Sequence, residues 1–122
     1  MLSTGIDLVE VDRIERAISR YGERFLTRVF TEGELAYCRG RSPQLAARFA
    51  AKEAASKVLG VGIQHRDGIS WHEVEIIADA QGKPFVELTG RAARRAAELE
   101  LATFALSLSH TREYAIAVLV AE

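Results

Sequence analysis

Ser42-Pro43-Gln44-Leu45-Ala46-Ala47-Arg48-Phe49-Ala50-Ala51-Lys52-Glu53-Ala54-Ala55-Ser56-Lys57-Val58-Leu59-Gly60 is the stretch that organises the chain. Pro43 at the first position and Gly60 just past the last are the residues that open and close a helix, and Ser42 is placed to cap it. One long helix is therefore expected, and the elements on either side can be read outward from it. Upstream, residues 2 to 9 read as a short strand that turns into a helix. Val11, Ile14, Ile18, Tyr21 and Phe25 recur at three- and four-residue spacing, which predicts an amphipathic helix over residues 10 to 28 with a break at Gly22. Thr31 followed three residues later by Glu34 is a capping box and predicts a short helix from Thr31 to Cys38.

Downstream the period changes to two. Val74, Ile76 and Ala78 alternate within Trp71 to Asp79, and Gly82-Lys83-Pro84 turns the chain into a second strand through Leu88, a hairpin. Arg91 to Leu99 reads as a helix. Phe104, Leu106 and Leu108, then Tyr114, Ile116, Val118 and Val120, alternate as two final strands around a Ser109-His110-Thr111 turn. Adjacent hairpin strands with grouped helices predict an α+β domain, a mostly antiparallel sheet packed against a long central helix.

The chain has 122 residues, enough for one domain spanning 1 to 122, and no repeat or low-complexity linker divides it. Its 48% apolar and 27% charged residues belong to a folded globular protein. A folded monomer of this size is expected to expose roughly 6,500 Å². The 16 basic and 17 acidic side chains nearly cancel, so no global field would hold the protein on nucleic acid or on an anionic membrane. Asp7 interrupts the place where a secretion signal would need its apolar stretch, and no run reaches the ~18 apolar residues of a membrane span. One cysteine, Cys38, cannot close a disulfide within the chain and is expected as a buried, inert thiol. A cytoplasmic location is the expectation.

Only three of the basic residues are lysines, and two of them, Lys52 and Lys57, lie on the long helix. Phe49, Glu53 and Lys57 advance by about 40° each around the helix and form one stripe, with Arg48 and Lys52 on the neighbouring one. The stripe has two readings. Glu53 four residues before Lys57 is the favoured orientation of an ordinary helical ion pair. Alternatively, Glu53 joins Asp7, at the end of the first strand beside Gly5, as a pair of carboxylates from separate segments. Such a pair with a lysine nearby suits Mg²⁺ carrying a substrate phosphate, because Mg²⁺ takes one or two protein oxygens and keeps several waters. Asp7 also has a bland reading, since Asp7 or Asp12 would serve as a cap for the first helix. Among the histidines, His110 in its polar turn is the best placed for function, ahead of His65 in a loop and His72 in a strand. Zinc-type spacing, a Walker loop and a nucleophile–base arrangement are absent from the sequence.

Gly5-Ile6-Asp7-Leu8 with Arg13, then Arg48-Phe49-Ala50-Ala51-Lys52-Glu53-Ala54-Ala55-Ser56-Lys57, then Gly60-Val61-Gly62-Ile63, closely resemble the holo-acyl-carrier-protein synthase family of phosphopantetheinyl transferases. Gly82-Lys83-Pro84, Ser107-Leu108-Ser109-His110-Thr111 and Tyr114-Ala115 continue the match in order over nearly the whole chain. One departure is Ser3, where the family often has an extra glycine. The resemblance implies transfer of the 4′-phosphopantetheine arm of coenzyme A to a serine of an apo acyl carrier protein, releasing adenosine 3′,5′-bisphosphate. It implies Asp7 and Glu53 as ligands of Mg²⁺ and, with Lys57, as the catalytic group. Arg48, Phe49, Gly60, Gly62, Lys83, Pro84, Ser109 and His110 are the implied substrate-binding residues. It further implies a homotrimer with the site between protomers, so that Lys83, Pro84 and His110 meet the coenzyme from the neighbouring chain.

Arg13, Arg16, Arg20 and Arg24 fall within about 80° of one another on the first helix, with Ile14, Ile18 and Tyr21 on the other side. By resemblance this stripe docks the acidic carrier protein. Two other classes fit the same residues. A non-enzymatic module would use the arginine stripe to hold an acidic partner, and a metal-dependent nucleotide phosphohydrolase would use Asp7, Glu53 and Lys57 on a different diphosphate.

Overall fold

The structure, a computed structural model, describes residues 1–122. Strand β1 (Ser3–Glu10) leads into α1 (Val11–Tyr21), α2 (Glu23–Val29), α3 (Glu32–Cys38) and the long α4 (Ser42–Leu59). The hairpin β2 (Val74–Ala78) and β3 (Pro84–Leu88) follows, then α5 (Gly90–Glu98) and the closing strands β4 (Phe104–His110) and β5 (Tyr114–Ala121). The α+β class read from the sequence is the one observed. The strands form two antiparallel sheets, β1-β5-β4 and β2-β3, with α4 lying across the first.

Helix α4 is buried almost all round. Ala46, Ala47, Ala50, Ala51, Ala54 and Ala55 are each at most 2% exposed, and these small side chains allow close approach of neighbouring backbone. The closest approach is to β1 at Gly5, where an added Cβ would overlap the carbonyl oxygen of Ala54. Gly60 ends α4 in the left-handed region, φ 68°, as glycine does at low cost. The N-terminus departs from expectation in one detail: Ser42 is the first helical residue, the cap position falls on Arg41, and no side chain caps it.

Elsewhere the local signals are realised with small shifts. The first helix breaks at Gly22 (φ 58°) into α1 and α2. The Thr31–Glu34 capping box closes both ways, Glu34 N–H to Thr31 Oγ1 at 3.2 Å and Thr31 N–H to Glu34 Oε1 at 2.9 Å. Trp71–Glu73, expected as the start of a strand, is instead one 3₁₀ turn opened by a capping box from Ser70. Burial favours the neutral form of Glu73, but the N–H groups of Ser70 and Arg91 and the nearby guanidinium outweigh it and hold the carboxyl below its usual range. Neither Asp7 nor Asp12 caps α1, whose N-cap is Glu10, and Asp12 instead pairs with Arg16 at 3.3 Å.

The alternation of β5 is as read, and packing settles which set of residues is inward. Ala115, Ala117, Leu119 and Ala121 are buried against α4, while Ile116, Val118 and Val120 are half-buried on the outer face. A helix packed this tightly leaves room for alanine, so the larger branched side chains turn outward beside Ile6 and Leu8 of β1, which are 55% and 60% exposed.

One ion pair is wholly enclosed. Lys52 Nζ lies 2.9 Å from Glu34 Oε1 and also donates to the carbonyls of Trp71 at 3.0 Å and Val74 at 2.6 Å. Glu34 Oε2 accepts the N–H of Ile76 at 2.7 Å. Every hydrogen-bonding capacity of the ammonium is used, which is the condition under which a buried charge is tolerated. The pair fastens α3, α4 and the hairpin together. Cys38 is also buried, as expected, and burial pushes its thiol pKa up. No helix is long and apolar enough to cross a membrane.

Candidate active site

Residues Asp7, Glu53 and Lys57 converge where β1 crosses α4. Because Gly5 brings the two backbones into contact, Asp7, two residues on and on the same face of the strand, stands over the helix one to two turns before its end. Lys57 Nζ donates to the Ile6 carbonyl at 2.7 Å and to Asp7 Oδ1 at 3.3 Å. It forms no ion pair with Glu53, so the ordinary helical pair is not what this stripe makes. Burial raises the pKa of Glu53, and the charge of Asp7 adds to it, while Lys57 and Arg13 act in the opposite sense.

Two hard anionic oxygen donors that repel each other, beside a lysine half open to solvent, form a place that a cation and a phosphate would each relieve. No third His, Cys, Asp or Glu joins them. The donor set therefore fits Mg²⁺ with few protein ligands better than zinc.

The remaining residues fall into other groups. Arg48 is about 140° around α4 from Glu53, and faces a separate groove of about 230 Å³ with Tyr37, Arg41, Gln44, Pro84 and His110. Its guanidinium lies 4.5 Å from the Tyr37 ring centroid, and its buried Nε has no partner. His110 lies at the end of β4 rather than in the turn, which is Thr111 to Glu113, and Ser109 faces the outer side of the sheet opposite Ile116. Lys83 is exposed beside Pro84 in the hairpin turn. Gly60 and Gly62 form the turn that leaves α4, bordering a shallow depression with His65 and Asp67. Sequence reasoning did not pick out Tyr37 and Arg41; their only signal was an aromatic and an arginine shortly before the helix that carries Arg48.

Along α1, Arg13, Arg16 and Arg20 are exposed, and Arg24 belongs to α2 beyond the Gly22 break, so the stripe is not continuous on one helix. Arg13 lies over the ring of Phe49, 5.8 Å from its centroid, and Phe49 stacks on Trp71 at 5.1 Å. Arg13 is thereby held at the edge of the Asp7–Glu53 site.

The sequence pattern of the 4′-phosphopantetheinyl transferase superfamily matches residues 3–119. A holo-[acyl-carrier-protein] synthase of Herpetosiphon aurantiacus is 49% identical over 124 residues, covering 98% of each chain. One from Dehalococcoides mccartyi is 48% identical over 122 residues, 100% of this chain and 99% of that one. Among solved structures, Helicobacter pylori holo-[acyl-carrier-protein] synthase in complex with coenzyme A superposes with a TM-score of 0.87 at 32% identity, over 98% of this chain and 99% of that one. The Neisseria meningitidis enzyme does so with a TM-score of 0.85 at 35% identity, over 98% and 97%.

Proposed function

The chain belongs to the 4′-phosphopantetheinyl transferase superfamily, and from that premise we propose that it is a cytoplasmic, Mg²⁺-dependent holo-acyl-carrier-protein synthase. The observation that carries this reading is the convergence of Asp7, Glu53 and Lys57 at the crossing of β1 and α4. In the reaction, the serine oxygen of an apo acyl carrier protein attacks the phosphorus that bears the pantetheine arm of coenzyme A. A new phosphoester P–O bond forms, the P–O bond of the diphosphate breaks, and adenosine 3′,5′-bisphosphate leaves. The serine proton passes to a base or to water.

Phosphoryl transfer of this kind needs positioning and charge neutralisation more than a protein nucleophile. Asp7 and Glu53 would hold Mg²⁺, which when bound supplies positive charge to the diphosphate oxygens. Lys57, poised on the Ile6 carbonyl, steadies the same oxygens and the departing phosphate. Arg13, set against Phe49, receives the acidic carrier at the rim, with Arg16 and Arg20 extending the basic surface.

Two features support a homotrimer with shared sites. On the outer face of the sheet, β1 and β5 present Ile6, Leu8, Ile116, Val118 and Val120, an apolar surface of the kind that second copies cover, with Ser107 and Ser109 of β4 at its edge. Moreover, Arg48, Pro84 and His110 open on a different groove from Asp7, Glu53 and Lys57, so a coenzyme spanning two protomers would use both groups.

The test is mass spectrometry of an apo carrier protein after incubation with this protein, coenzyme A and Mg²⁺. A gain of one phosphopantetheine supports the proposal. Release of nucleotide without carrier modification would point to a phosphohydrolase instead.

A further inference from the structure

Beyond the catalytic crossing, α5 and the loop from Val61 to Ile69 enclose a cleft of about 310 Å³ that Asp7, Glu53 and Lys57 do not line. Three arginines, Arg91, Arg94 and Arg95, face it from one side of α5, whose other side is buried through Ala92 and Ala96. Two of these guanidiniums are held by main-chain carbonyls: Arg95 Nε donates to Leu59 O at 2.9 Å, and Arg91 Nη2 to Arg66 O at 3.3 Å. Arg94, which lines the same cleft, has neither a hydrogen bond nor an ion pair within the protein. Acidic neighbours offset part of this charge, since Glu98 pairs with Arg95 at 3.5 Å and Glu73 lies near the Arg91 guanidinium, but no acid pairs with Arg94 and Asp67 pairs with none of the three.

Guanidiniums fixed by carbonyl groups keep their charge and several N–H donors free, and a phosphate is the common ligand able to accept from more than one such fork. We propose that the α5 cleft is a second anion site that binds a phosphate group, separate from the Asp7–Glu53–Lys57 crossing. The phosphate has two possible sources: a free phosphate, or one carried by the coenzyme where it passes the Gly60–Gly62 turn that borders the cleft.

The experiment is thermal unfolding of the full chain in millimolar inorganic phosphate against chloride at matched ionic strength, because a ligand of the folded state raises Tm by mass action. The wild-type protein should gain Tm in phosphate, and Arg91→Ala with Arg94→Ala should weaken the binding by about tenfold or more, while Arg16→Ala with Arg20→Ala keeps it. Isothermal titration of phosphate in saturating coenzyme A separates the sources. Binding that persists, with an unchanged KM for coenzyme A in the α5 variant, assigns a free phosphate; competition, with a raised KM, assigns the coenzyme's own. No gain in the wild type, or an equal gain in the α5 variant, overturns the proposal. The phosphate titration is read without turnover, so its outcome is independent of whether the transferase reaction is confirmed.

Discussion

Lys57 reaches from α4 to Asp7 of β1, Nζ to Oδ1 at 3.3 Å, although Glu53 stands one turn away on its own helix. The ammonium is thus anchored on the strand, by the Ile6 carbonyl as well, and Glu53 is left beside a like charge. This division of roles gives the first two predictions.

Asp7→Asn and Glu53→Gln should each lower kcat/KM by at least about a hundredfold, because each replaces an anionic oxygen donor by an amide of the same shape. Stability should hold, and Glu53→Gln should even gain slightly, since it relieves the repulsion from Asp7. Steady-state rates with urea unfolding check both. Wild-type turnover in either variant would remove that residue from the site.

Lys57→Met should reduce kcat by more than it raises KM for coenzyme A, if the ammonium acts mainly on charge that develops during transfer. A change confined to KM would make Lys57 a binding residue only.

Mixing two inactive proteins should restore activity if the site is shared. One carries Glu53→Gln, the other Lys83→Ala with His110→Ala, and after subunit exchange some interfaces contain no substitution. Light scattering should show a trimer in each parent. Failure of rescue with both parents assembled would assign the whole site to one protomer.

Reversing Arg13 and Arg20 to Glu should raise KM for the carrier protein at least tenfold and leave KM for coenzyme A nearly unchanged, on the order expected when steering charges are reversed. The dependence of kcat/KM on salt should flatten, because screening acts on the charges removed. An unaltered salt slope would place the docking surface elsewhere.

Lys52→Met should cost about 3–5 kcal/mol, since it leaves Glu34 enclosed without its cation. Adding Glu34→Leu should cost less than the sum of the two single changes, although the N–H groups of Thr31 and Ile76 then lose their acceptor. Urea unfolding of the four proteins measures the coupling, and strict additivity would mean that the two side chains do not act as a pair.

The elements themselves were legible in the chain because their signals are local. Pro43 and Gly60 bound α4, Thr31 and Glu34 cap α3, Gly22 breaks the first helix, and the turn at Gly82 makes the hairpin; each depends on backbone geometry within a few residues. The α+β class followed from their order, and the pairing of Asp7 with the Glu53–Lys57 stripe was open to inference from residue type. Packing decided the rest. Only the contact of Gly5 with Ala54 brings Asp7 within reach of Lys57, and spacing on one helix favoured Glu53 as its partner. Alternation in β5 has the same period whichever face is inward, so the branched residues could be assigned outward only once the alanine surface of α4 lay against the sheet. Nor could periodicity show that Lys52 and Glu34, 18 residues apart in sequence, share one buried site, because a charge enclosed on every side is tolerated only where the folded backbone supplies its remaining partners.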